Sequence, residues 1–489
     1  MKGFSWPHAP KPSRRSLAFQ RLAACLLALL VLRVPGINAQ RASKSGGIDG
    51  FWQLTAEFPD YDLTSTVLFK TGADAQSVEG IVLGPTSGRA GSFAGSVSRT
   101  LLSLTAPGTL GEMRVNLTVS DNTLSGTWST AELVGHIRGF RGASRKPEPN
   151  YYPKYLRTVC QILRDDFYDP HLNGVDLQEV TAKYAAQLAN GRDDGEFVTL
   201  IRRLLGELKT SHTDFFLAPD AFPVNEKTPL ITSRSLSPET YYLRIRHFDP
   251  PSAQNFNQAI DNALEEAAKY PSLVMDLRGN RGGNLGLVYR SLGHFLQAGR
   301  DAGYAFGRRG SSEATSISNA AWVGTSGLPV VRSSSSSIIG EIIRNGAAVI
   351  RIDAGQKSSY QGRLVILVDE GCYSGCEVFA ATLRESGRAV LIGNRTGGEA
   401  LGSVTYTVVK NLVFTKKDTG WRLEVPVVDF RTVGGERLEG NGVKPDIEVP
   451  KGGGSDAVLA EAIKYLGRVS ARQNESAARL PSRFGLTSR

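Results

Sequence analysis

The stretch GRLVILVDEGCYSGCEVFAATLRESGRAVLIGN, residues 362–394, limits the possible folds more than any other part of the chain. A β-branched apolar run breaks at an acidic, glycine-containing bend. A helix-period pattern follows at once, and a second apolar run closes the segment. Two strands joined through a helix run parallel, so this segment calls for an α/β core. The same grammar appears upstream, where YYLRIRHF reads as a strand, NFNQAIDNALEEAAKY as a helix and SLVMDLRG as a strand. Residues 221–465 are therefore expected to form an α/β domain with a mainly parallel sheet. Within it, residues 298–360 lack clear periodicity and carry five consecutive serines at 333–337, which reads as a surface loop or lid.

A chain of 489 residues exceeds what one hydrophobic core supports, and the pattern changes along it. Residues 48–145 carry short strand-like runs at a spacing of roughly ten residues, the signature of a small antiparallel barrel or sandwich. Trp52 and Trp128 are expected in its core, and His136 reads as structural. This β region is expected to be separable, so that deleting residues 40–145 leaves a folded remainder. Residues 150–220 place apolar side chains three and four apart and read as a small helical domain, with Cys160 as a buried thiol. Residues 466–489 read as a polar tail.

The first 39 residues carry Lys2, Lys11, Arg14, Arg15, Arg21 and Arg33 with no acid, then LAACLLALLVL and the small-residue exit GINA. That is an export signal cleaved near Ala39, which implies a periplasmic or secreted protein. Its apolar run is too short for a permanent membrane span, and no later run is long and apolar enough for one. Removing those six cations takes the formal charge from +10 to +4 (10 minus 6). No Lys/Arg cluster with interleaved aromatics remains, so nucleic acid is not an expected partner.

Four segments carry candidate chemistry. Ser374 lies at a strand-to-helix bend, where the helix N-terminus favours an anion and Gly375 lets a carbonyl approach its N–H; the same serine could simply cap the helix. VMDLRGNRGGNLG, residues 274–286, places Gly279, Gly282, Gly283 and Gly286 after a strand, which suits backbone amides aimed at an oxyanion or merely a tight turn. It lacks both the GK[ST] of a P-loop and dinucleotide spacing. In LKTSHTDFF, residues 208–216, His212 stands between Ser211 and Thr213 as a candidate general base. GGERLEGNGVKPDIEVP, residues 434–450, offers Glu436 and Glu439 to orient a histidine.

Taken together, these segments resemble the C-terminal-processing, or tail-specific, serine peptidase family, whose relatives include the tricorn protease core and interphotoreceptor retinoid-binding protein. DLRGNRGG is similar to the family's Asp-Leu-Arg-x-Asn-x-Gly-Gly turn. EGCYSGCEVFAATLRESGRAVLIGNRTGG is similar to its nucleophile segment, and LEGNGVKPDIEV to its closing motif. The resemblance covers roughly residues 150–465 and implies a crotonase-like ββα core.

Carried over residue by residue, the resemblance makes Ser374 the nucleophile, with an oxyanion hole from the N–H of Gly375 and of Gly282 or Gly283. The Ser–Lys branch places a lysine about 25 residues past the serine; here Glu399 stands there, and Lys410 is out of register. The resemblance to the tricorn branch instead makes His212 the proton acceptor, with Ser211 and Glu439 completing the relay, Glu436 second choice and Glu399 third. It implies an exported serine endopeptidase acting on peptide or protein through an acyl-enzyme, with no metal or other cofactor. The alternatives are a non-catalytic binding protein on the same fold and a Ser–Lys peptidase. Cys372 and Cys376 stand where small residues are usual and read as two buried thiols, a bridge across the bend being the alternative. No room exists for a PDZ module between His212 and YYLRIRHF, so tail specificity does not follow.

Overall fold

The computed structural model describes residues 47–478, other than 59, 87–90, 109–110, 131–133, 143–146, 190–192, 219–223, 311–326, 354–359, 412–414 and 451–455. The expected export signal therefore lies outside the described residues. The chain forms two compact units. One runs through Pro229 and takes back Asp301–Arg351 and Gly398–Asn441; the other holds Leu230–Arg300, Ile352–Gly397 and the chain from Gly442 onward.

The first unit begins with eight antiparallel strands: β1 (Gly50–Glu57), β2 (Tyr61–Thr71), β3 (Ser77–Val82), β4 (Ser92–Ser98), β5 (Leu101–Gly108), β6 (Gly111–Ser120), β7 (Thr123–Ser129) and β8 (Val134–Arg141). Each pairs with the next, and β1 pairs with both β2 and β8, which closes a barrel rather than a sandwich. Alternation explains the closure. Along β6, Met113, Val115, Leu117 and Val119 are buried while the residues between them are exposed. Trp52, Phe69, Leu102 and Trp128 help fill the interior.

Three helices follow: α1 (Tyr152–Asp166), α2 (Leu177–Leu188) and α3 (Asp194–Gly206). Asp176 and Asp193 cap α2 and α3 by accepting two backbone N–H bonds each. Cys160 is a buried free thiol on α1. Two short strands come next, β9 (Asp214–Leu217) and β10 (Val224–Glu226).

The barrel is not an appendage. Arg202 of α3 is buried; it donates from Nη1 to Val82 O at 2.6 Å, from Nη2 to Gly84 O at 2.5 Å and from Nε to Asp214 Oδ1 at 3.0 Å. Thr86 N donates to the other oxygen of Asp214 at 2.5 Å, and Leu217 N donates to Leu83 O at 2.8 Å. Of these partners, Val82, Leu83, Gly84 and Thr86 lie within residues 40–145, while the Arg202–Asp214 pair lies outside them. Turn spacing reports strands and not the polar contacts beyond them, so these ties were not among the expectations from sequence.

The chain then enters the second unit as β11 (Ile231–Ser237), β12 (Thr240–Ile245), α4 (Ala253–Ala267), β13 (Ser272–Asp276) and α5 (Leu285–Leu292). It returns to the first as β14 (Asp301–Gly307), β15 (Val330–Arg332), α6 (Ile338–Asn345) and β16 (Ala347–Arg351). This region was read from sequence as a loop or lid. Its described part is instead sheet and helix, because β14 carries six consecutive buried residues and reads as an apolar run without alternation.

In the second unit follow β17 (Arg363–Val368), α7 (Gly375–Glu385) and β18 (Val390–Gly393). The long hairpin β19 (Leu401–Asn411) and β20 (Thr415–Arg431) belongs to the first unit. β21 (Ile447–Glu448) and α8 (Ala457–Ala478) complete the second, the helix running on into the stretch read as a polar tail. The sheet order in the second unit is β11-β12-β13-β17-β18-β21, parallel except between β11 and β12. The first unit's sheet runs β15-β16-β14-β20-β19, with β9 paired to β20. No helix among the described residues is long and apolar enough to cross a membrane.

Candidate active site

Adjacent parallel strands place the loops at their C-terminal ends side by side. β13 and β17 pair in register from Ser272↔Arg363 to Asp276↔Leu367, so the glycine turn after β13 and the Ser374 bend after β17 emerge together. Asp369 ties them: its Oδ1 accepts from Gly279 N at 2.8 Å and from Gly371 N at 3.0 Å. Tyr373 N donates to Asn280 O at 3.1 Å, and Asn280 Oδ1 accepts from Gly282 N at 2.8 Å.

Ser374 is the N-cap of α7 and sits at φ 58°, ψ −129°. A side-chain-bearing residue at such a φ costs about 1–3 kcal/mol and persists only where its surroundings impose it. The N–H groups of the first helical turn have no partner within the helix and lend it a positive end. Gly282, at φ 75°, faces this turn: a Cβ there would lie 2.5 Å from Gly375 N and 2.8 Å from Ser374 Cβ. Gly283, at φ 132°, packs equally tightly against the backbone of Phe248 and Asp249. The sequence reading placed Ser374, Gly375, Gly282 and Gly283 together as nucleophile and oxyanion donors, and the fold brings all four to one end of the sheet.

Cys372 and Cys376 are joined by a disulfide across the bend and are fully buried. The expectation of two thiols is corrected: a tight bend brings residues four apart within bridging distance, which composition alone does not reveal.

Glu377, three residues past the serine, was not singled out from sequence. Its buried carboxylate accepts from Ser374 N at 3.3 Å and from Thr396 Oγ1 at 2.5 Å. Thr396 Oγ1 in turn accepts from Val443 N at 2.6 Å, which ties the closing motif to the helix that carries the serine. The signal was present as Ser-x-x-Glu, a capping box at the start of a helical run.

Behind the glycine turn, Arg278 donates to Asp276 through Nε and Nη2 and to Asp456 through Nη1 at 2.7 Å, while Tyr242 Oη donates to Asp276 at 2.7 Å. Burial alone would raise the Asp276 carboxyl, but the Arg278 guanidinium outweighs it and holds the group down at about 2.

The remaining candidates lie in the first unit, on the loop between α3 and β9 and after β20. Ser211 Oγ stands 2.7 Å from His212 Nδ1 and donates to Glu439 Oε2 at 2.8 Å. Glu439 is buried and also accepts from Ser211 N at 2.9 Å, from Thr210 Oγ1 at 3.3 Å and from Ala400 N at 2.9 Å. Four donors converge on this carboxylate and fix its orientation. His212 adopts φ 54°, a left-handed conformation in which histidine is over-represented. Glu436 is exposed, Glu399 lies one residue before the Ala400 amide, and Lys410 belongs to β19.

Aromatic packing fixes the floor of this loop. Phe197 of α3 stacks on Tyr152 at 4.5 Å and meets Phe215 and Trp421 edge-on at 5.3 and 5.6 Å. The helical segment is thereby locked to β9 and β20 on either side of the histidine loop.

The model of peptidase family S41 matches residues 239–449, the segment that holds both the glycine turn and the Ser374 bend. Over that segment the chain is similar to peptidase family S41. The tricorn protease C1 domain matches residues 151–206, the three helices before the histidine loop. Among curated S41-type relatives, the chain is 26% identical over 306 residues to carboxyl-terminal-processing peptidase 3, chloroplastic, of Arabidopsis thaliana, covering 60% of this chain and 49% of that one. It is 22% identical over 279 residues to carboxy-terminal processing protease CtpA of Bacillus subtilis (strain 168), covering 57% and 47%. The chain thus spans about half the length of these relatives. Among solved structures it is similar to the photosystem II D1 C-terminal processing protease, with TM-score 0.41 and 16% identity over 61% of this chain and 93% of that one.

Proposed function

We propose that this chain is an exported serine endopeptidase that hydrolyses peptide bonds through an acyl-enzyme on Ser374. The observation that carries this reading is the backbone of Ser374: an unfavourable φ at the mouth of a helix, with Gly282 packed so closely on Gly375 N that no side chain fits between them. A serine needed only as a helix cap gains nothing from that cost; a nucleophile gains exposure and an anion-stabilising helix end. His212 takes the proton from Ser374 Oγ as it attacks the substrate carbonyl, and returns it to the leaving amine. Ser211 and Glu439 orient the imidazole through Nδ1, which leaves Nε2 for the nucleophile. The N–H of Gly375, with that of Gly283, receives the oxyanion, the N–H of Gly282 being taken by Asn280 Oδ1. Water then hydrolyses the acyl-enzyme. The substrate is a peptide or protein, and export proceeds through the basic-then-apolar leader ending near Ala39.

The test is labelling of the purified chain by a fluorophosphonate. Wild type should be phosphonylated at Ser374. Ser374→Ala should not react, His212→Ala should react about 10²–10⁴-fold more slowly, and Lys410→Ala should react normally. Loss of labelling in Lys410→Ala with retention in His212→Ala would restore the Ser–Lys mechanism, and an inert, folded wild type would favour a binding protein.

A further inference from the structure

Resting on the reading of Ser374 as nucleophile, we propose that the Cys372–Cys376 disulfide is a redox-sensitive brace, so that the oxidised chain holds Ser374 in its reactive backbone conformation and the dithiol form releases it. Cys372 and Cys376 are positioning residues in this account, since neither touches the reacting atoms.

Ser374 occupies the centre of the five-residue ring that the disulfide closes. Hydrogen bonds fix the chain before the serine: Cys372 N donates to Asp369 O at 3.0 Å and Gly397 N donates to Cys372 O at 2.9 Å. Helix α7 fixes the chain after it. Across the serine itself the bonds are long, 3.3 Å from its amide to Glu377 and 3.2 Å from Cys376 N to Tyr373 O. The disulfide is the covalent tie that crosses a residue held at φ 58°, and a backbone in that region relaxes when its constraints weaken. Both sulfurs are fully buried, with Cys376 Sγ 3.9 Å from Leu277 O, so the ring has no room to widen outward. Two unbonded sulfurs need more space than two bonded ones. Reduction must therefore shift residues 373–375, which carry the hydroxyl and the Gly375 N–H.

The chemistry is thiol–disulfide exchange with a dithiol reductant. In a local opening of the bend, which the buried sulfurs require, its thiolate attacks Cys372 Sγ, forms a mixed disulfide and expels Cys376 as thiolate. The reagent's second thiol then displaces Cys372, leaving a cyclic disulfide and two protein thiols. Two electrons and two protons pass from reagent to protein.

The full chain, equilibrated with dithiothreitol and its cyclic disulfide at graded ratios, is labelled with a fluorophosphonate while free thiols are counted by alkylation. We expect the two-thiol increase to coincide with at least a tenfold fall in the limiting labelling rate. The half-saturating probe concentration and the melting temperature should change little, and reoxidation should restore the rate. Cys372→Ala/Cys376→Ala should label at the slow rate at every ratio. A reduced protein, or a folded double variant, that labels as fast as the oxidised wild type overturns the brace. Reversible loss of global fold on reduction also overturns it, because the bridge would then be merely structural. If oxidised wild type does not label at all, the peptidase reading itself fails.

Discussion

Glu439 binds both polar groups of Ser211: Oε1 accepts the amide at 2.9 Å and Oε2 accepts the hydroxyl at 2.8 Å. That double contact fixes the direction of the Ser211 hydroxyl and hence the group that meets His212 Nδ1. Glu439→Gln preserves shape but turns an acceptor into a donor facing the Ser211 and Ala400 donors. We expect kcat to fall at least about tenfold, with a stability loss of about 1–3 kcal/mol from the unsatisfied groups. Steady-state kinetics beside thermal unfolding checks both. Glu436→Gln, at an exposed position, should leave both unchanged.

Gly282→Ala puts a methyl group 2.5 Å from Gly375 N in a backbone region that disfavours side chains. Fluorophosphonate labelling should be lost, with a drop in stability of about 1–3 kcal/mol. Normal labelling in this variant would show that the close approach of Gly282 to Gly375 N is not needed by the reaction.

The barrel's tie to the histidine loop is tested by Arg202→Ala. Its side chain and that of Asp214 are 3% and 0% exposed, so removing the cation leaves a buried carboxylate without its charge partner. The expected cost is about 3–5 kcal/mol, read as a lower urea midpoint for the whole first unit. A loss below about 1 kcal/mol would mean that solvent screens the pair.

Acid sensitivity follows from Asp276. Its folded-state value of about 2 lies below the ordinary 3.8, so the group stabilises the fold above the higher value. That contribution declines as pH falls from about 4 and is gone below about 2. The difference in urea midpoint between wild type and Asp276→Asn should therefore be largest near neutrality and shrink across that window. A difference independent of pH from 4 to 2 would assign the effect to packing.

Much of this architecture was legible in the sequence because it rests on local periodicity. Strand–helix–strand grammar marked the sheet that carries Ser374, the three- and four-residue spacing marked α1 to α3, and alternation marked the barrel strands. Three features besides the Cys372–Cys376 bridge escaped. β14 lacks alternation because it is buried on both faces, so residues 298–360 read as a loop. The Arg202–Asp214–Thr86 tie joins residues up to 128 apart, and no local pattern encodes such a contact. Asp369 and Glu377 looked like ordinary bend and helix acids until their amide partners were placed. Glu377 could have been found from its capping-box spacing; Asp369 could not.

The most direct test of the central claim is a crystal structure of the phosphonylated chain, read for the distance from His212 Nε2 to the Ser374 oxygen. The account predicts a hydrogen bond of about 3.2 Å or less, with Ser211 still between His212 and Glu439. A separation wider than one bridging water, with the adduct formed on Ser374, would contradict it and assign the proton to another base.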